Sequence, residues 1–318
     1  MKTKISAMGL AYAVNKDRVT CRITGIGVYE KEHLLIPDSL DGYPVTSIAK
    51  EAFLDRAELI SAEIADGVTV IGAEAFRGCS RLACVKIADT VTEIGWGAFL
   101  DCASLSSLSL GRGVQEIAAC AFCGCPAKME IPAGVTSIGE QAFLGTSEIA
   151  VSEKNPRFVS VDGNLYTSDG KTLLQYAVGK QDPVFRIPDA VTEIGSFAFS
   201  GAERLSAVRF GRSVKSIGSN AFHGCTSLWA AVLPDGARSI GDSAFYGCTS
   251  LSVVSVDNGM QRIGRGAFDQ CPKLSRIHRR GKKPIWQKVL FGKKRGASFP
   301  LCEIQCKNLK IKFLFPQK

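Results

Sequence analysis

The dipeptide Ala-Phe recurs through this chain at a fixed spacing, and no other feature limits the fold as much. With the aromatic as marker, the units fall at Phe53, Phe76, Phe99, Phe122, Phe143, Phe199, Phe222, Phe245 and Phe268, separated by 23, 23, 23, 21, 56, 23, 23 and 23 residues. Ile stands five positions before each Phe, from Ile48 to Ile263, and Ala immediately before it, in all nine units. Three positions after Phe come Cys79, Cys102, Cys125, Cys225, Cys248 and Cys271, and six after it Leu recurs in seven units. So strict a period in 318 residues marks an array of one supersecondary unit rather than several unrelated domains. With 46% hydrophobic and 22% charged residues the chain folds, which excludes a disordered or collagen-like polymer. No run approaches the roughly 18 uninterrupted apolar residues of a membrane-spanning helix.

The spacing also sets a shape. Ile, then Ala-Phe four and five further on, then Cys, share one face of a helical turn, and Gly four before Phe in seven units lets the chain enter it tightly. The stretch after Leu alternates by twos, as in Val85-Lys86-Ile87, Val208-Arg209-Phe210 and Val254-Ser255-Val256, which is the period of a short strand. The expected class is α/β: a solenoid of short parallel strands alternating with short helical turns. Coils stacked at roughly 4.8 Å would bring like residues into ladders.

The unit Ile131-Pro132-Ala133-Gly134-Val135-Thr136-Ser137-Ile138-Gly139-Glu140-Gln141-Ala142-Phe143 resembles the BspA-like leucine-rich repeat family. The opening, Tyr12-Ala13-Val14 to Ile26 and then Leu35-Ile36-Pro37 through Tyr43-Pro44-Val45-Thr46-Ser47-Ile48, is similar to that family's lead-in to its first coil. The likeness runs from about residue 10 to 278. It implies a right-handed leucine-rich-repeat solenoid acting in binding, often as a surface or adhesion protein, with no catalytic residues.

Three regions follow. Residues 1–44 read as capping strands, 45–278 as the repeat solenoid, and 279–318 as a basic terminal cap or tail. The long interval between Phe143 and Phe199 holds a β-hairpin insert at about 155–181, where Asp162-Gly163 and Asp169-Gly170 separate the short runs Phe158–Val161, Leu165–Ser168 and Thr172–Tyr176. It serves either as an exposed flap patching the stack or as a ligand-contacting loop.

The net charge is +9, but 13 Lys/Arg against Glu303 give +12 from Arg276 onward, leaving 26 basic and 29 acidic residues, or −3, elsewhere. Contact with nucleic acid or an anionic membrane would therefore fall on Arg279, Arg280, Lys282, Lys283, Lys293, Lys294 and Arg295. A cap is the competing role, because Leu309, Ile311 and Phe313 alternate with Lys310 and Lys312 as in a last strand whose lysines guard its edge.

The ladder cysteines read as small apolar core residues, whereas Cys120 and Cys123 fall at outward positions where two nearby thiols could bind zinc or oxidise. A structural zinc site wants four ligands and the chain has three histidines, so no metal or cofactor is expected. Met1 to Val14 lacks a small-residue cleavage site before Asn15-Lys16-Asp17-Arg18, which predicts a cytoplasmic location with reduced thiols; a surface location is what the resemblance implies. His33, His223 and His278 occupy unrelated registers, and Glu93, Glu116 and Glu193 form a row rather than a cluster, so no enzyme is predicted.

Outward positions eight and ten after Phe build the expected binding surface, the inner face of the strand sheet. Its candidate partner-binding residues are Glu63, Lys86, Ser109, Arg209, Val232, Ser255, Arg276 and His278. Their mild chemistry suits a protein or peptide more than a nucleic acid.

Overall fold

In a computed structural model that describes residues 2–180 and 182–280, the chain is a parallel β-solenoid of about 11 coils. Each coil carries two strands. A short one centres on the repeat Ile, and these stack in register from Ile23 through Ile48, Ile71, Ile94, Ile117 and Ile138, then from Leu173 through Ile194, Ile217, Ile240 and Ile263. A longer strand follows Leu and builds a second face. That face comes in three pieces: His33–Ile36 with Ser61–Ile64, Cys84–Ile87 and Ser107–Ser109; Met129–Ile131 with Ile149–Val151; and Val184–Arg186 with Ala207–Arg209, Ala230–Val232, Val253–Asp257 and Ile277–Arg280.

The core is the expected column. Consecutive rings from Phe53 to Phe122 stack with centroids 5.0 to 5.2 Å apart, and those from Phe199 to Phe268 at 4.7 to 5.4 Å. The gap widens to 6.2 Å between Phe122 and Phe143, the interval that is two residues short. Each ladder thiol lies beside this column and donates to the Phe carbonyl of the coil before it: Cys79 to Phe53 at 3.1 Å, Cys102 to Phe76 at 3.2 Å, Cys248 to Phe222 at 3.1 Å. A thiol is small and apolar enough for the core, yet it gives a buried carbonyl a weak donor.

The expected helical turns are absent: no residue among those described is helical. In all nine units the residue two before Phe and the residue two after it both sit at positive φ, 52° to 63° at the first position and 55° to 103° at the second. Two left-handed residues four apart cannot belong to a right-handed helix. The turn backbone bonds across coils instead, with Phe53 N donating to Ala75 O at 2.7 Å and Phe76 N to Ala98 O at 2.7 Å. The glycine four before Phe has a different purpose from the one expected. A Cβ on Gly95 would lie 2.6 Å from Ala73 N, and one on Gly139 would lie 2.2 Å from Ala119 N, so the residue permits backbone contact between neighbouring coils.

The segment in the long interval is a three-stranded antiparallel meander, Phe158–Val161, Asn164–Thr167 and Thr172–Gln175, whose last strand runs parallel to Glu193–Ile194. Leu165, Tyr166, Leu173 and Tyr176 are all buried, so it is core and not a surface flap. Tyr176 fills the aromatic slot, stacking on Phe199 at 5.0 Å, and its N donates to Ala198 O at 2.7 Å, as the Phe residues do. The opening of the chain has the same plan. Ala11–Val14 with buried Tyr12 runs antiparallel to Cys21–Gly25, which then runs parallel to Tyr43–Ile48.

Two outcomes are expected in denaturant unfolding. Phe122→Ala should cost roughly 3 to 5 kcal/mol, since the ring is fully buried between two others. Gly95→Ala, which adds only a methyl group but places it in a buried turn against the backbone of the coil before it, should also lower the unfolding midpoint; an unchanged midpoint would show that the coils do not need their close approach.

Candidate functional site

The long-strand face carries two outward rows in its first piece. His33, Ser61, Cys84 and Ser107 stand opposite one another across four parallel strands, and Leu35, Glu63, Lys86 and Ser109 form the next row. Parallel register produces these rows directly, because outward positions two apart in one strand repeat in every neighbour. Within them Lys86 bonds Glu63 at 2.7 Å, which raises the lysine's pKa through that hydrogen bond and the carboxylate's charge. His33 Nδ1 meets Ser61 Oγ at 2.8 Å in an exposed pair.

Of the candidate residues, Glu63, Lys86, Ser109, Arg209 and Arg276 are exposed, Val232 and His278 are half-buried, and Ser255 is buried. Arg186 stands opposite Arg209, and Val232, Ser255 and His278 share one row. Arg276 precedes the final strand, Ile277–Arg280. In that strand Arg280 reaches back to the Leu233 carbonyl and pairs with Asp235 at 2.9 Å, while Arg279 donates to Asn258 O at 3.0 Å. Arg279 and Arg280, two of the seven residues named for polyanion contact, are thus tied into the fold. Lys282, Lys283, Lys293, Lys294 and Arg295, together with the strand read at Lys307 to Phe315, lie outside the described residues.

Burial sorts the thiols. It pushes the Cys79 thiol up to about 12 and the half-buried Cys123 thiol up to about 11. Cys120 is half-buried, at a positive-φ turn position with its Sγ 3.7 Å from Gln141 Oε1. Cys84 is exposed in the serine row. Among the described residues no three His, Cys, Asp or Glu side chains are grouped so as to hold a metal ion.

The rows are not the whole of this face. A shallow trough of about 460 Å³ crosses three successive coils, lined by 108–110, 130–132 and 150–152. Its signal was present in the 21-residue interval. Phe122 and Val135 are 13 apart, where Phe76 and Val91, or Phe99 and Val114, are 15 apart, so the missing pair falls on the long-strand side.

The sequence profile of the family described as "BspA type Leucine rich repeat region" matches residues 46–165 and 183–294 in six copies. No curated protein matches the chain. Among solved structures, the pneumococcal vaccine antigen PcpA is similar at a TM-score of 0.69 and 22% identity, covering 87% of this chain and 81% of that one. A leucine-rich cell surface protein from Faecalibacterium prausnitzii A2-165 is similar at 0.56 and 23%, covering 92% and 99%. A leucine-rich repeat protein from Eubacterium ventriosum is similar at 0.59 and 23%, covering 87% and 84%. At these identities the likeness is one of fold.

Alkylation of the native protein with iodoacetamide, followed by peptide mapping, should label Cys84 ahead of the other cysteines among the described residues and leave Cys79, Cys102, Cys125, Cys225 and Cys248 unmodified until denaturant is added. Early labelling of that buried set would contradict the ladder.

Proposed function

Because the chain belongs to the BspA-type leucine-rich repeat family, we propose that it is a non-catalytic interaction scaffold that binds a protein or peptide partner on its long-strand face. The carrying observation is the pair of in-register outward rows, which spreads side chains along lines and offers an extended contact. Catalysis needs reactive groups gathered at a point, and the exposed His33–Ser61 contact sits in an open row.

Two similar structures are described as a vaccine antigen and a cell surface protein, which supports an extracellular or surface location for this chain, adhesion included. The thiols do not oppose this reading. Ladder cysteines held protonated in the core need no reducing compartment to stay unpaired.

The face makes a definite demand on mutants. With Lys86→Glu and Arg209→Glu combined, capture of a partner by the immobilised protein should fall by about tenfold, the effect of losing roughly 1.4 kcal/mol. Capture that survives the double charge reversal would remove the long-strand face from consideration.

The competing reading, a nucleic-acid or anionic-membrane binder acting through residues 279–318, rests on the 13 cationic side chains from Arg276 onward. It predicts binding to RNA or to phosphatidylserine vesicles that weakens steeply between 50 and 200 mM salt, on the order of a hundredfold or more if six phosphates are met. Salt-independent binding would exclude it.

A further inference from the structure

We propose that the trough beside the short coil accepts an extended peptide whose side chains alternate between apolar and basic. The inference deepens the long-strand-face reading and rests on it. The coil from Phe122 to Phe143 lacks two residues on its long-strand side, and there the sheet is interrupted: no ladder joins Ser107–Ser109 to Met129–Ile131, although every other strand from His33 to Ser109 is paired with its neighbour. On the short-strand side the same coils stay in register, Glu116 opposite Ser137 and Ile117 opposite Ile138. The break is therefore local to the face. A deletion of two keeps the pleat, so Met129 and Ile131 still point into the core, but the strand between them no longer meets the one before it.

Two consequences define the occupant. Leu108 and Leu110 are half-buried, whereas their equivalents Val85 and Ile87 are 1% and 3% exposed, so the break uncovers an apolar wall, continued by Pro132 and Val151. The backbone of that wall is open too. In a parallel ladder alternate residues bond to opposite neighbours, and Ser107 N donates back to Ala83 O at 3.1 Å; the N–H and C=O of Leu108 are thus directed forward, where no strand receives them. An extended segment can meet such a strand edge by main-chain hydrogen bonds, with alternate side chains reading the wall. Charge selects among extended segments. Glu130 is exposed in the lining and the nearby lysine is taken, Lys128 pairing with Glu148 at 3.4 Å, which leaves Glu130 without a cation among the described residues. The fitting ligand sets apolar side chains against Leu108 and Leu110 and a Lys or Arg between them toward Glu130.

The test uses the full chain and a fluorescein-labelled, N-acetylated hexapeptide of alternating leucine and lysine, read by fluorescence anisotropy. Two control peptides carry serine for leucine or glutamate for lysine. Binding is expected for the first peptide only, weakened about tenfold by Glu130→Lys and by Ser109→Trp, which fills the trough from an exposed position. The melting temperature of each variant reports whether the fold is kept. Equal affinity for all three peptides, or unchanged affinity in both folded variants, overturns the proposal. Absence of peptide binding also overturns it, and partner capture that still responds to Lys86→Glu with Arg209→Glu then leaves the long-strand face standing without the trough; loss of both would end the two together.

Discussion

The whole structure depends on ring-on-ring stacking at the spacing of a β-ladder. Phe centroids repeat near 5 Å, close to the separation of hydrogen-bonded strands, so one geometry satisfies dispersion contacts in the core and main-chain bonds at the surface. Every coil must then return to the same point after one circuit. That requirement fixes the 23-residue length, demands an Ala of low volume beside the ring, and favours glycine, present in seven of nine units, where the turn of one coil lies against the backbone of the last. Sequence regularity is the signature of a closed path, and departures from it have to appear as departures in shape.

The core was legible because each of its positions sees the same surroundings in every coil. The helical turns were wrongly expected because helical and turn backbones both bring positions four and five apart to one side, and side-chain spacing alone cannot separate them. The deciding residues are the left-handed pair flanking Phe. The second of these is Gly in six units, a readable hint, but the first is filled by residues as unlike as Glu51, Cys120, Phe197 and Ser243. Their conformation is imposed by bonds to the next coil, and no local preference announces it. For the same reason the coils at Ile23 and Leu173 were hidden: neither contains Ala-Phe, and each is recognised only by the strand it pairs with.

The candidate face was legible to the extent that period two decides exposure. Glu63, Lys86 and Ser109 stand where the alternation puts them. Ser255 does not: it is buried between Val232 and His278 of the neighbouring strands, and in the same strand Asp257 stands opposite Arg280, whose side chain reaches past it to a coil 47 residues earlier in the chain. A long basic side chain crossing an intervening coil is a tertiary event. It also recasts the basic end of the described chain, where Arg280 is matched to Asp235 and is part of how the last coil is held.

A solenoid of identical coils would present identical rows and could distinguish partners only through row chemistry, which here is mild. Selectivity in such a molecule has to come from irregularity. Two irregularities are built in: the meander at 158–175, which begins a second stack as the first residues begin the first, and the coil that is two residues short. The meander is absorbed by the core, with Tyr166 buried and Tyr176 filling the slot that the repeat would have given to Phe. The short coil is absorbed on one side only, since the Ile ladder runs through it unbroken while the long-strand ladder stops. An even deletion is the smallest change that interrupts a face without turning its buried side chains outward, and this one leaves a leucine edge with free backbone groups and an acid beside it. The defect in the repeat is thus the place where this otherwise uniform surface acquires a pattern that another chain can read.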